Sequence, residues 1–196
     1  LATGLCTLCI GGGMGATTTI ERGGAASAKS TAVPEPFEQE GIALLTIDLP
    51  GKTMNVLTPE LMQELGELVE RAAADDAVKG IVLTSGKQTF IAGADIKDMV
   101  TAYDRGITPR EGSEFSRGLN RTLRRMETCG KPVAAAINGL ALGGGLEVCL
   151  ACHYRVLADE PHAVLGFPEV NIGLRPGIGG TQRTPRLIGF RNAATL

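Results

Sequence analysis

The fold of this chain is decided between residues 138 and 183. The first half reads NGLALGGGLEVCLACHYRV (138–156), and the second reads LGFPEVNIGLRPGIGGTQR (165–183). Glu147 follows the glycines Gly143, Gly144 and Gly145, and Glu169 follows Pro168 and precedes Gly177, Gly179 and Gly180. Glycines let a ligand approach the backbone and leave N–H groups free to point at it. A carboxylic acid beside such a turn is the arrangement that acid–base chemistry on a carbonyl compound requires.

Working backwards, residues 133–137 form a short apolar run that enters this stretch as a buried strand. Gly130-Lys131-Pro132 stops the preceding helix, expected from about Pro109 to Cys129 with Phe115, Leu119, Leu123 and Met126 on its buried face. Before that comes FIAGADIKDM (90–99), in which Gly93-Ala94 is a turn and Asp95 can cap a short helix. Residues 80–84 and 42–47 read as strands. Between them Thr58, Pro59 and Glu60 open a helix whose apolar face is Leu61, Leu65, Leu68, Val69 and Ala72. Downstream, a helix over 145–151, a strand over 154–158 and a helix over 181–188 complete the pattern. Strands alternating with helices indicate an α/β fold.

Composition excludes several classes. The 196 residues carry a net charge of −2, and basic residues are scattered apart from Arg121, Arg124 and Arg125. That argues against nucleic-acid binding and reads as a solvated helix face, with a phosphate contact as the alternative. No run of about 18 apolar residues is present, nor a secretion signal. Five cysteines without secretory context point to free thiols and a cytoplasmic location. Two C-x-x-C spacings, Cys6/Cys9 and Cys149/Cys152, lie too far apart for a zinc site, and the second falls in an apolar helix pattern, so no metal is expected. None of the glycine turns has a nucleotide-binding spacing. Taken singly, Glu147 reads as a helix-terminal acid and Glu169 as a loop acid; together, each beside a glycine turn, they favour chemistry.

Residues 37–196 resemble the crotonase, or enoyl-CoA hydratase, family. The blocks that carry the resemblance are FIAGADIKDM (90–99), AINGLALGGGLE (136–147), LGFPEV (165–170) and GIGGTQR (177–183), in order and at family-like spacing. The family implies a spiral of ββα units, here C-terminally truncated. It also implies an oxyanion hole from the N–H groups of Ala94 and Gly144, with Glu147 holding the water that adds at Cβ and Glu169 giving the proton to Cα. Gly177 would help orient the water, and Gly93, Asp95, Ile96 and Gly143 would line the substrate site. No cofactor is implied, since coenzyme A is the carrier of the acyl-CoA thioester substrate. The connector DEPH (159–162) and the block after Glu147 are similar to the hydratase end of multifunctional fatty-acid oxidation enzymes. The likeness implies an oligomeric parent with an NAD-dependent dehydrogenase part and a thiolase companion. Isomerisation of an enoyl-CoA, or acyl-CoA binding without turnover, are the alternatives.

Residues 1–34 read differently. LCIGGGMG (8–15) resembles the C-terminal end of thiolases, with Cys9 at the acid–base position, followed by a strand-like 17–20 and a Gly/Ala/Ser/Pro-rich linker to Pro36. Without the rest of a thiolase, Cys9 has no partners to activate it. A remnant preceding a crotonase-like domain over 35–196 is therefore expected. The chain does not begin with Met, so its natural start is expected upstream. It ends before the helices that cover the acyl pocket in family hydratases, and marginal stability with weak or no activity is expected. Arg175 receives no role beyond surface placement.

Overall fold

The computed structural model describes Leu5–Cys6, Phe37–Gln39 and residues 41–195. Cys9, the thiolase-like glycines, the strand-like 17–20 and the linker lie outside the described residues.

The central sheet joins β1 (Leu5–Cys6), β2 (Phe37–Gln39), β3 (Ile42–Ile47), β4 (Gly80–Ser85), β5 (Val133–Ile137) and β7 (Tyr154–Ala158) in the order β1-β7-β5-β4-β3-β2. The four inner strands run parallel, and β1 and β2 pair antiparallel at the edges. Two further short strands, β6 (Ala141–Leu142) and β8 (Leu165–Gly166), pair with each other in parallel outside the main sheet. Parallel strands need covered crossovers. Here α1 (Pro59–Ala74) joins β3 to β4, and α2 (Ile96–Asp104) with α3 (Pro109–Thr128) joins β4 to β5. Then α4 (Gly144–Ala151) leads to β7, and α5 (Gly180–Ile188) and α6 (Phe190–Ala193) close the described chain. The α/β reading of the sequence is borne out.

The ends of α1 follow from its sequence. Thr58 caps it by accepting the N–H of Leu61 at 3.2 Å, and Pro59 occupies the first turn. Its carbonyl end is held by Lys131, whose Nζ donates to Ala72 O at 2.9 Å and also to Asp75 O. The predicted apolar face is buried, together with Met62. It shares one core with the sheet residues Leu45, Ile47, Ile81, Leu83 and Val133.

Helix α3 corrects one expectation. Leu123 and Met126 are buried, but Phe115 is 50% exposed and Leu119 only borders the core. This helix packs against α1 and α4 and buries only Leu123 and Met126, so periodicity alone overstates what it covers. The arginines of its outer face are solvated, as composition suggested: Arg124 pairs with Glu127 at 3.2 Å and Arg125 with Glu70 at 2.6 Å.

Candidate active site

Three chain segments meet at the C-terminal edge of the parallel strands: 90–95 after β4, 140–147 after β5, and 166–180 after β8. The first two are laced together by backbone hydrogen bonds. Phe90 and Ile91 N–H both donate to Leu140 O, at 2.9 and 3.2 Å, and Leu142 N–H donates to Ile91 O at 3.1 Å. Leu57 N–H donates to Gly93 O at 2.7 Å, which pins the turn from the other side. Gly93 sits at φ 104°, in the region that suits glycine, and the turn leaves Ala94 exposed. Among the described residues no acceptor takes the N–H of Ala94. The N–H of Gly144, first residue of α4, likewise has no intrahelical acceptor. The Gly93–Ala94 turn lies against Leu142, two residues before Gly144.

Close packing explains the glycine triplet. A Cβ on Gly145 would overlap the carbonyl oxygen of Ile91, so α4 can start beside the 90–94 segment only with glycine there. Gly143 adopts φ 52°, ψ −123°, a conformation essentially closed to other residues.

Glu147 lies one turn into α4 and is 2% exposed. Its Oε1 accepts two backbone hydrogen bonds, from Ile178 N at 2.8 Å and Gly180 N at 2.6 Å. These donors belong to the GIGG turn that opens α5, where Gly179 takes φ 110°. Among the described residues, Oε2 of Glu147 has no donor. Burial pushes the Glu147 carboxyl above its ordinary range; the two N–H groups oppose this in part, and the charge of Glu169 adds to the rise.

Glu169 sits in the short 3-10 turn Pro168–Ile172. Its Oε1 faces the backbone of Gly143, and its Oε2 is buried with no hydrogen-bond partner. Burial raises this carboxyl as well, because its neutral form is the one such a site tolerates. The two acids thus share one site with unequal surroundings: one oxygen of Glu147 is held by N–H donors that favour the charged form, whereas Glu169 has none at Oε2.

Of the other residues singled out in the sequence, Asp95 caps α2 by accepting the N–H of Lys97 at 3.0 Å and pairs with Lys52 at 3.4 Å. Those contacts hold its carboxyl below the usual range, the Lys97 N–H contributing most. Ile96 is 58% exposed, and α2 buries none of its residues. Gly177 is exposed beside an open groove of about 1110 Å³ between α3 and the 173–186 segment; Arg175 lies on its surface, as expected. Cys149 and Cys152 are buried free thiols, and burial pushes Cys152 up to about 12.

Two contributors escaped sequence reading. Asn55, 0% exposed, accepts Leu49 N–H at 2.9 Å and donates from Nδ2 to Ile47 O, Ser85 Oγ and Phe90 O at 2.9, 2.9 and 3.3 Å. Its own carbonyl accepts Ala92 N–H at 2.8 Å. It therefore ties the ends of β3 and β4 to the loop that presents Ala94. The second is Arg183, which donates to Glu127 at 2.6 Å and to Ile178 O at 2.8 Å.

Residues 37–196 match the family model described as enoyl-CoA hydratase/isomerase. The chain belongs to that family. It is 45% identical over 158 residues to the fatty acid oxidation complex subunit alpha of Idiomarina loihiensis, an alignment covering 80% of this chain and 22% of that protein. The namesake from Shewanella amazonensis is 47% identical over 158 residues, with the same coverages of 80% and 22%. The chain thus spans about a fifth of the length of these curated relatives. Among solved structures, an enoyl-CoA hydratase from Bacillus anthracis superposes with a TM-score of 0.74 at 31% identity, over 85% of this chain and 62% of that one. An enoyl-CoA hydratase from Thermoplasma volcanium gives 0.74 at 30% identity, over 85% and 63%. The crotonase-like fold expected from the four sequence blocks is shown.

Proposed function

We propose that this site adds water across the double bond of a trans-2-enoyl-CoA thioester, giving a 3-hydroxyacyl-CoA. The observation that carries the reading is the grip of Ile178 N and Gly180 N on one oxygen of Glu147, opposite a Glu169 whose Oε2 is buried and unpartnered.

The N–H groups of Ala94 and Gly144 donate to the thioester carbonyl oxygen and stabilise the enolate-like charge it gains. That polarisation makes Cβ electrophilic. Glu147, whose carboxylate is stabilised in part by two N–H donors, takes a proton from water through Oε2 as the O–Cβ bond forms. Glu169, favoured in its protonated form, delivers a proton to Cα as the C=C π bond is lost. Proton return from Glu147 to Glu169 resets the pair, which titrates as a coupled unit. Gly177 N–H orients the water, and Gly93, Asp95, Ile96 and Gly143 border the thioester. The reaction needs no cofactor; coenzyme A is the acyl carrier.

Likeness to the fatty acid oxidation complex subunit alpha supports a wider reading. In it the chain is the hydratase part of a larger, oligomeric, cytoplasmic fatty-acid oxidation protein. An NAD-using dehydrogenase part and a thiolase companion belong to the same proposal. No helix among the described residues is long and apolar enough to cross a membrane.

The test is to mix the chain with crotonyl-CoA and follow loss of the conjugated enone absorbance. Glu147→Gln and Glu169→Gln are each expected to slow hydration by about 10²–10⁴-fold. Equal rates in both variants and the parent would overturn the assignment. Conversion of a 3-enoyl-CoA without hydration would move the reading to isomerisation.

A further inference from the structure

Glu147 is held by a turn, and the turn must itself be held. Ile178 N and Gly180 N reach Glu147 only if residues 177–180 keep their conformation, and Gly179 at φ 110° can leave it easily. No side chain caps α5 at this end. What fixes the turn is Arg183, one turn further along the helix. Its backbone N–H donates to Gly179 O at 2.9 Å, and its side chain doubles back so that Nη1 donates to Ile178 O at 2.8 Å. Ile178 is thus gripped at both polar atoms, its N–H by Glu147 and its carbonyl by Arg183. Fixing that carbonyl fixes the peptide plane between the two N–H donors.

Arg183 is anchored in turn. Its Nε donates to Glu127 Oε1 at 2.6 Å, and Arg124 Nη1 donates to Glu127 Oε2 at 3.2 Å. The Arg183 and Glu127 side chains are only 14% and 23% exposed, so this pair is less screened than the ion pairs on the outer face of α3. Burial alone would raise the Glu127 carboxyl, but the bonds from Arg183 and then Arg124 hold it below its ordinary range. Glu127 stands 56 residues from Arg183, on the helix that borders the open groove.

We propose that Arg183, anchored by Glu127, is a positioning residue that clamps the Ile178–Gly180 turn and thereby keeps the two N–H donors of that turn on Oε1 of Glu147. The clamp acts through the turn and touches no substrate. Its consequence for turnover rests on the hydratase reading, whereas its effect on Glu147 does not. The charged groups facing Glu147 are Glu169 from the 3-10 turn and Arg183 from α5, with Glu127 and Arg124 of α3 behind Arg183.

Charge and clamp can be separated. Arg183→Lys keeps the positive charge but lacks the forked guanidinium that spans Glu127 and Ile178 O. Glu127→Gln removes a negative charge, which by electrostatics alone would make Glu147 ionise more easily. Loss of the clamp predicts the opposite for both. The experiment is a pH titration of the Glu147 carboxyl by ¹³C NMR in the chain labelled at glutamate side chains, the resonance being assigned by its loss in Glu147→Gln. Arg183→Lys and Glu127→Gln are expected to move the titration midpoint to higher pH, Arg183→Met furthest. Arg186→Met, which removes an exposed arginine of the same helix, is expected to leave it in place. In the crotonyl-CoA assay Arg183→Lys is expected to lose about tenfold in kcat with KM within about twofold. An unmoved or lowered midpoint in folded Arg183→Lys and Glu127→Gln overturns the clamp, and needs no turnover to be read. A parent chain that titrates as expected but does not hydrate crotonyl-CoA counts against the function and leaves the clamp standing. Circular dichroism identifies any variant that fails to fold; Arg183→Lys and Glu127→Gln then decide in place of Arg183→Met.

Discussion

Glu169 Oε1 lies 2.8 Å from where a Cβ on Gly143 would stand. The glycine therefore does two things at once: it adopts a backbone conformation other residues avoid, and it leaves room for the acid across from it. In Gly143→Ala the backbone strain costs about 1–3 kcal/mol, and Glu169 must swing away. The expected result is a folded chain with a lowered melting temperature that has lost at least about 100-fold of its crotonyl-CoA hydration. Melting curves and the absorbance assay on one preparation check both halves. Full activity in this variant would show that Glu169 need not occupy its observed position.

The pH dependence of stability follows from the same acids. Burial raises both Glu147 and Glu169 above the ordinary carboxyl range. A folded state with raised carboxyl values holds protons that the unfolded chain has released. Their contribution is therefore most favourable below the unfolded value and is lost as pH rises through the folded values. Glu169→Gln removes the Glu169 share of that loss. Urea unfolding is expected to show the variant gaining stability relative to the parent as pH rises from 4 to 7.5. A constant difference across that range would mean the carboxyl is not raised.

Much of this was legible beforehand, for identifiable reasons. Helix α1 announces itself through Thr58, Pro59 and a periodic apolar face, all local signals. Glu147 and Glu169 were found because each stands next to glycines in the chain, so neighbourhood in sequence stood in for neighbourhood in space. Where partners are distant in sequence, that proxy fails. Arg183 and Glu127 are 56 residues apart and each looks like an ordinary surface charge. Phe115 fits a helical stripe, yet nothing in its own stretch of sequence shows that it stands half exposed. Strands β6 and β8 have two residues each, too few to show any period. They pair only because the site segments are drawn together.

Glycines in helices divide by what surrounds them. Gly145 has no room for a methyl group, since the obstacle is the backbone of Ile91 and cannot turn aside. Gly118, inside α3, has nothing within 4 Å of the added carbon. Gly145→Ala is expected to prevent stable folding, whereas Gly118→Ala is expected to stabilise the chain by about 0.5–1 kcal/mol through helix propensity and reduced unfolded-state entropy. Chemical denaturation reads both. A well-folded Gly145→Ala would mean that α4 can shift away from the 90–94 segment without cost.

Asn55 should be the most sensitive polar position outside the two acids. Its amide satisfies Leu49 N–H, Ile47 O, Ser85 Oγ and Phe90 O in a site closed to water. Truncation leaves those groups to find other partners, and a buried unsatisfied group costs about 1–3 kcal/mol. Asn55→Ala is expected to destabilise the chain by about 2–4 kcal/mol, the relief being partial relaxation around the cavity. Asn55→Asp keeps the shape and the acceptor for Leu49 but replaces the Nδ2 donor with a second oxygen facing three oxygens, so it is expected to be at least as damaging. The loss should also be coupled to Ser85, which takes one Nδ2 bond and donates to Thr89 O at 2.6 Å on the same loop. In a double-mutant cycle Asn55→Ala and Ser85→Ala are expected to fall short of additivity by about 0.5–3 kcal/mol. Because the network ends at Phe90 and Ala92, just before Ala94, loosening it also blurs the position of the Ala94 N–H proposed to hold the thioester oxygen. Hydration by Asn55→Ala at temperatures where it remains folded is therefore expected to fall in kcat more than in KM. Strict additivity with unchanged kcat would reduce Asn55 to a packing residue with no hold on the site.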